Sequence, residues 1–398
     1  MQLNDLNLFI EINDTNYIFV VGKHDEDQNF KIIEKIVTIN KEININKFTN
    51  INDASNIIKK NIQLIEKKLN FVFKDVIIIL DVFELNCLNI SGFKKLNGSQ
   101  VKKENISYIL NSLKLKISEN EKQKTILHIF NSKSVLDGKN IENLPIGLFG
   151  DFYSHELTFF LIKKNDLKNI KLLFNKNNLE VKKIFIKSFS EGIELIHQNK
   201  TETFFKIKLD KNNSKIIFFD KSSFRYSESF EFGTDIIFKD IEKICSIDNH
   251  TINNYLFDKP YKLKVLNKDE FIEKKYFTNK QYRKIKKKLI FDIVEARIEE
   301  ILDIILYKNI NTYSFKKKSI KIYLFVKEKL ILDNFNEIFR IYFLKNGNVN
   351  HDFVNESQDD TIFTNTAKLS AYGWSKEAIP VSQSKNSLIS RIFKYIFD

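Results

Sequence analysis

The most restrictive feature of this sequence is the stretch from Ile126 to Ile162, which reads ILHIFNSKSVLDGKNIENLPIGLFGDFYSHELTFFLI. It joins two apolar runs through an Asp137-Gly138 pair and a Pro-Ile-Gly-Leu-Phe-Gly loop at residues 145–150. Asp-Gly pairs and glycine-rich loops favour the tight turns that connect neighbouring strands. The stretch therefore predicts a small module of strands with tight turns, and a generic β-hairpin is the simplest alternative.

Length and composition restrict the class of protein. The chain has 398 residues, enough for about two to four compact units, and 43% of its residues are hydrophobic, which indicates a globular protein. Its two cysteines, Cys87 and Cys245, are far apart in sequence. They give neither a disulfide framework nor a zinc pattern, and they suit a reducing cytoplasm. We expect no metal site, and we expect His128 and His155 to be structural.

The net charge of +13 is a weak indication of nucleic-acid binding. Only five of the 64 basic residues are arginine, and no zinc finger, aromatic RNA-binding signature or arginine stripe is present. We therefore predict that nucleic acid is not a partner.

Strand and helix patterns alternate along the chain and indicate an α/β protein. A strand-rich start at residues 6–23 recurs at residues 202–233, which suggests two related domains. Apolar spacing predicts one long amphipathic helix over residues 279–306. After Tyr342 the pattern fades, and residues 346–385 are expected to be a loop and a flexible linker.

The stretch described first resembles the bacterial cell-division FtsA family. Ile126-Leu127-His128, Asp137-Gly138 and the loop at residues 145–150 stand where that family has its own motifs, with Leu148 in place of the usual Met. Residues 293–302, IVEARIEEIL, resemble the family's Arg- and Glu-containing helix of the second lobe. The resemblance implies an actin-like two-lobe (ribonuclease H-like) α/β fold with an inserted strand-helix-strand-strand (SHS2) module.

The resemblance also implies a division of the chain into domains. The first lobe would comprise residues 1–83 and 164–198, interrupted by the SHS2 module (1C) at 84–163. The second lobe would comprise residues 199–345, with subdomain 2B at about 240–306. Residues 346–385 and 386–398 would follow as linker and terminal helix.

The nucleotide motifs of the family are degenerate in this chain. Family members hold ATP on glycine-rich loops, because only glycine lets the backbone approach phosphate closely, and acidic residues beside the loops hold Mg²⁺. The strand at residues 322–330 has no glycine where the family has its adenosine loop. The degenerate positions are Glu11, Asn13, Asp14, Lys208, Asp210, Asn213 and Gly233, with Arg297 and Glu300 on the adenosine-pocket helix. Lys208 and Lys211 could still attract phosphate as point charges, so weak binding stays open. We predict no cofactor, disfavour ATP with Mg²⁺, and expect no ATP hydrolysis.

The last thirteen residues form an amphipathic pattern. Stepped at 100° per residue, an apolar arc separates from a polar one with no exception. The residues expected to contact a membrane are Leu388, Ile389, Arg391, Ile392, Phe393, Lys394, Ile396 and Phe397. Such a helix is too short to span a bilayer but suits its interface, and the family has a membrane-targeting helix here. The alternative is a terminal helix docked on the protein's own core.

The resemblance further implies partners. The FtsA family binds the C-terminal peptide of FtsZ on the second lobe, and that peptide mixes acidic and apolar residues. The candidate anchors are Lys284, Lys287, Lys288 and Arg297, although a solvated helix face explains the lysine run equally. We expect an adaptor that tethers FtsZ filaments to the cytoplasmic face of the inner membrane at the division site, contacts other division proteins and self-associates into filaments. The alternatives are an actin-like ATPase with atypical phosphate contacts and a pilus-type membrane assembly adaptor of the same fold.

Overall fold

The computed structural model describes residues 6–41, 43–44, 47–81, 84–258, 270–277, 281–315 and 320–378. It contains two compact units. The first comprises residues 1–202, 219–226 and 357–398, and the second comprises 203–218 and 227–356. No helix in the described part of the chain is both long and apolar enough to cross a bilayer.

The first unit is built on a five-stranded sheet in the order β11-β6-β1-β2-β3. Its strands are β1 (Asn7–Ile12), β2 (Asn16–His24), β3 (Phe30–Ile39), β6 (Asp75–Leu80) and β11 (Glu180–Ile186). The short pair β4 (Ile43–Asn44) and β5 (Lys47–Phe48) stands apart. β1 pairs with β2 antiparallel and with β6 parallel, and β6 pairs with β11 parallel. The apolar runs of β1 and β6 are buried on both faces, as in parallel sheets covered by helices.

Outside the inserted module, the helices described in this unit are α1 (Ile51–Leu69), α3 (Lys164–Asn175), α4 (Lys187–Asn199) and α9 (Asp359–Tyr372). α1 begins where the Asn50 side chain accepts the amides of Asn52 and Asp53 and ends at Asn70, whose φ is +49°. A side-chain N-cap and a left-handed final residue are the usual stabilising ends of a helix.

The inserted module has the order strand, helix, strand, strand. Its elements are β7 (Leu85–Lys95), α2 (Lys103–Asn120), β8 (Lys124–Leu136), β9 (Lys139–Ile141) and β10 (Phe152–Lys163), with the sheet order β7-β10-β8-β9. α2 contributes Ile106, Ile109 and Leu113 to the core of the module. At the β8–β9 turn Asp137 and Gly138 have φ angles of +48° and +78°. This is the geometry that favours Asp-Gly in two-residue hairpins. The order of the module's elements confirms the SHS2 prediction together with the fold class.

Residues 346–385 were expected to be loop and linker, and the structure differs. They contain the strand β16 (His351–Phe353) and the helix α9. Beyond α9, the amide of Asn131 donates to Lys376 O (2.7 Å) and the amide of Ala378 donates to Ile129 O (2.8 Å). Residues 376–378 therefore pair with β8 and extend the module's sheet. The polar sequence concealed this order because the pairing uses backbone groups.

The second five-stranded sheet has the order β14-β13-β12-β15-β16 and belongs mostly to the second unit, with residues 219–226 at the β13–β14 turn counted in the first. The strands not yet given are β12 (Phe204–Leu209), β13 (Ser214–Asp220), β14 (Ser223–Phe230) and β15 (Lys321–Val326). The helices of the second unit are α5 (Asp235–Cys245), α6 (Asn249–Asp258), α7 (Lys287–Leu302) and α8 (Lys329–Lys345), with a π-helical turn at Asp303–Tyr307 and 3-10 turns at Lys274–Tyr276 and Ile310–Phe315.

One expectation about a helix in this unit was wrong. The helix expected over residues 279–306 begins only at Lys287, because Ile285 and Lys287 exchange backbone hydrogen bonds with residues 270–272. The last helix of this unit, α8, continues to Lys345. The buried Ile338, Phe339, Tyr342 and Phe343 keep helical spacing.

Candidate nucleotide loops and a basic groove

The turn between β1 and β2 carries two of the degenerate nucleotide positions, Asn13 and Asp14, and a third, Glu11, lies in β1 just before it. The Asn13 side-chain oxygen accepts the amides of Thr15 (3.0 Å) and Asn16 (2.6 Å), while the Asn13 amide donates to Asn16 O (3.1 Å). Three backbone amides of the turn thus donate hydrogen bonds to acceptors of the turn itself. Asp14 is exposed at its tip. A phosphate would have to displace these bonds before it could use the same donors.

Glu11, two residues before Asn13, is fully buried and belongs to a cluster of ion pairs. The Lys187 Nζ lies 2.7 Å from Glu11 Oε1 and 3.4 Å from Asp81 Oδ2. Burial raises the pKa of Glu11, although the Lys187 charge opposes this. Burial alone would lower the pKa of Lys187, but the charges of Asp81, Glu11 and Glu191 outweigh it and raise the pKa well above its usual value. The ammonium is therefore charged at neutral pH.

Lys187 was not a predicted site residue. In the sequence it is one lysine between the apolar run IFI and SF, at a change from strand to helix. Its side chain is 12% exposed, which is unusual for a lysine. The interruption of an apolar run by a single lysine was the available signal.

The second loop connects β12 and β13 and carries Asp210 and Asn213, while Lys208 lies in β12 just before it. The Asp210 amide donates to Asn213 O (2.9 Å), and the amides of Thr234 and Asp235 donate to the Asp210 and Lys211 carbonyls (2.9 Å each). These two donors stand at the start of α5, the kind of helix end that binds phosphate elsewhere. Here they are bonded to the loop itself.

The close packing of the second loop against the start of α5 explains why residue 233 is a glycine. A Cβ atom on this residue would lie 2.2 Å from Asp210 O and 2.6 Å from Lys211 O. Lys208 lies 3.5 Å from Asp210 and 3.7 Å from Glu356. The surviving glycine thus permits close contact between two backbone segments.

Arg297 and Glu300 lie together on α7. Arg297 Nη1 is 2.6 Å from Glu300 Oε2, and Arg297 Nε bonds to Asp240 on α5. The guanidinium is therefore engaged by two carboxylates within the second unit. Their roles in binding adenosine or a partner stay predictions.

A groove of about 500 Å³ lies on the second unit beside the start of α7. It is lined by Ile244, Cys245, Arg283, Lys284, Ile285, Lys286, Lys288, Leu289 and Asp292. The side chains of Ile244 and Leu289 are 57% and 41% exposed, so the groove combines open apolar surface with four basic residues. Lys287 is not among its lining residues and lies 2.7 Å from Glu270. The structure thus brings Lys284 and Lys288 to the groove and places Lys287 and Arg297 in ion pairs.

The predicted membrane-binding residues, Leu388 to Phe397, lie outside the described residues. In the described part of the chain, no group of three or more His, Cys, Asp or Glu side chains is arranged to hold a metal ion.

The sequence matches no family model and no curated protein. Among solved structures, the chain is similar to the PilM–PilN type IV pilus biogenesis complex, with a TM-score of 0.51, 9% identity, and coverage of 92% of this chain and 96% of that chain. Two others are the ethanolamine utilization protein EutJ from Carboxydothermus hydrogenoformans (TM-score 0.42, 8% identity, 92% and 89% covered) and MreB 5 of Spiroplasma citri bound to AMPPNP (0.40, 8%, 91% and 96%). At such identities similarity shows the fold and not the activity. The chain has the actin-like two-lobe fold with an inserted SHS2 module.

Proposed function

We propose that this protein is an adaptor of the actin-like fold that works without nucleotide. The observation that supports this most is the state of the two phosphate-loop positions. The backbone amides at each position donate hydrogen bonds to acceptors in the same unit, and the Lys187 ammonium lies against Glu11. The protein would bind other proteins and the membrane, and it would not hydrolyse ATP.

The basic groove is the proposed site for a partner peptide. Arg283, Lys284, Lys286 and Lys288 would attract carboxylates, and Ile244 and Leu289 would accept an apolar side chain. The FtsZ C-terminal peptide has this mixture of acidic and apolar residues. The finer proposal is therefore an FtsA-like adaptor that captures FtsZ at the division site, while its module contacts a neighbouring copy or other division proteins.

Peptide binding tests the groove. Fluorescence anisotropy with a labelled FtsZ tail peptide should give an affinity that falls at least about tenfold in a Lys284→Glu/Lys288→Glu variant, or about 1.4 kcal/mol. Lys329→Glu is the matched control, because Lys329 is exposed on the same unit and outside the groove. Equal affinities of the two variants would refute the groove as the site.

The tail is the proposed membrane anchor. In co-sedimentation with anionic vesicles, an Ile392→Glu/Phe393→Glu variant should stay in solution while the wild type pellets, because the apolar face supplies most of the binding energy. Ser390→Glu is a control on the polar face. If the wild type stays in solution, the tail is not an anchor and the proposed localisation at the inner membrane falls.

A pilus-type membrane assembly adaptor is the second candidate. Similarity to PilM, found in complex with PilN, over most of both chains favours it. Binding of PilN without binding of the FtsZ peptide would replace the FtsZ proposal with this one. The third candidate, an ATPase with atypical phosphate contacts, requires ATP binding, and a micromolar ATP affinity in calorimetry would overturn nucleotide independence.

A further inference from the structure

We infer that Lys187 is a built-in cation of the first nucleotide loop, whose ammonium supplies the neutralising charge that a bound metal ion would supply in an ATP-dependent protein of this fold. This rests on the proposed nucleotide-independent function and gives it a structural cause. The residues present do not fit a Mg²⁺–phosphate group. Glu11, the acidic residue of the loop, is fully buried and already bonded to Lys187 and to Asn13.

The topology brings the three charges together. β11, β6 and β1 are adjacent and parallel, with Leu80 in register with both Ile12 and Ile186. Lys187 follows Ile186, Asp81 follows Leu80, and Glu11 precedes Ile12. All three residues therefore stand at the carboxyl edge of the sheet, where α/β proteins generally bind their ligands.

Burial makes the ammonium necessary. Glu11 Oε1 accepts bonds from Lys187 Nζ (2.7 Å) and Asn13 Nδ2 (2.9 Å), while Oε2 is buried without a partner in the described structure. Glu191 lies one turn along α4 and adds a further negative charge near Lys187. Removing the ammonium would leave buried carboxylate charge uncompensated, which is far more costly than losing a surface ion pair.

A simple ion pair that fastens α4 to the sheet would involve the same contacts, so the test must separate charge from attachment. A full-length Lys187→Ala variant should lower the thermal midpoint by about 10 °C. Propylammonium chloride, which restores a cation without a covalent link, should recover at least half of that loss with a saturable dose response. Sodium chloride at the same ionic strength should not. Absence of recovery in the folded variant would overturn the inference.

A second pair of variants covers the case in which Lys187→Ala does not fold. If Lys187 acts by neutralising charge, Lys187→Met with Glu11→Gln should recover most of the midpoint lost in Lys187→Met alone. A double variant no more stable than the single one would overturn the inference. Neither measurement contains nucleotide, peptide or membrane. Failure of the adaptor tests and failure of the built-in cation are therefore separate results.

Discussion

Replacing Glu377 by Ala should release the segment at residues 376–378 from the module. Glu377 Oε1 is 2.7 Å from Nδ1 of the fully buried His128. The rings of Phe130, Phe185 and Phe189 surround the imidazole at 5.9–6.0 Å between centroids. A hydrogen bond to a charged group contributes about 1.5–3 kcal/mol. Removing the Glu377 carboxylate would also leave the buried His128 ring without this hydrogen-bond partner. We therefore expect the unfolding free energy to fall by about 2–4 kcal/mol.

The assay combines urea unfolding with amide hydrogen exchange. The amides of Asn131 and Ala378, which form the two backbone bonds of this segment, should exchange faster in Glu377→Ala, whereas the β7–β10 pairing should keep its protection. Glu377→Gln retains an acceptor and should lose less. Lys376→Ala is the matched control, because the contact of its Nζ among the described residues is a long surface one to Glu142 O (3.4 Å). Equal losses in Glu377→Ala and Lys376→Ala would refute the reasoning.

Two further predictions concern acid stability and backbone packing. Burial lowers the pKa of His155 to about 4 from an ordinary 6.5, so the fold favours the neutral ring. The resulting stability of about 3 kcal/mol is present above pH 6.5 and is lost as the pH falls through 4. His155→Leu should reduce the change in the free energy of urea unfolding between pH 6.5 and pH 4. His250→Ala, at an exposed histidine, should leave that change as it is in the wild type. Gly233→Ala should destabilise the second unit by about 1–3 kcal/mol, because the added methyl meets two backbone carbonyls. Circular dichroism melting would measure this, and a loss no greater than that of Lys211→Ala would contradict it.

Alternating strand and helix patterns predicted the α/β class correctly, and the family resemblance implied the actin-like fold. The Asp137-Gly138 turn and the loop at residues 145–150 predicted tight turns because their backbone geometry favours particular residues, whereas the SHS2 module was implied by the family resemblance. The start of α7 was missed, since apolar spacing continues through Ile285 while the backbone there pairs with residues 270–272. Helix α9 was missed because its sequence, DDTIFTNTAKLSAY, is mostly polar although Ile362, Phe363 and Leu369 are buried.

Individual site residues were harder to predict than the fold. Loss of glycines marked the nucleotide loops. It could not reveal that the Asn13 side chain accepts amides of the first loop, or that the first amides of α5 donate to carbonyls of the second. Lysine pairing depends on distances between segments far apart in sequence. Lys287 and Lys288 are neighbours, yet Lys287 meets Glu270 while Lys288 lines the groove.

The pairing of His128 with Glu377 also has a consequence for synthesis of the chain. The two residues are 249 positions apart, so the module's sheet lacks its added edge segment until long after β8 has left the ribosome. A chain interrupted before residue 376 would expose the backbone of β8 at Ile129 and Asn131 and leave His128 without its carboxylate. Open strand edges are sites of aggregation, so incomplete chains should be recognisable to proteases and chaperones. The segment thereby distinguishes a fully synthesised module from an unfinished one.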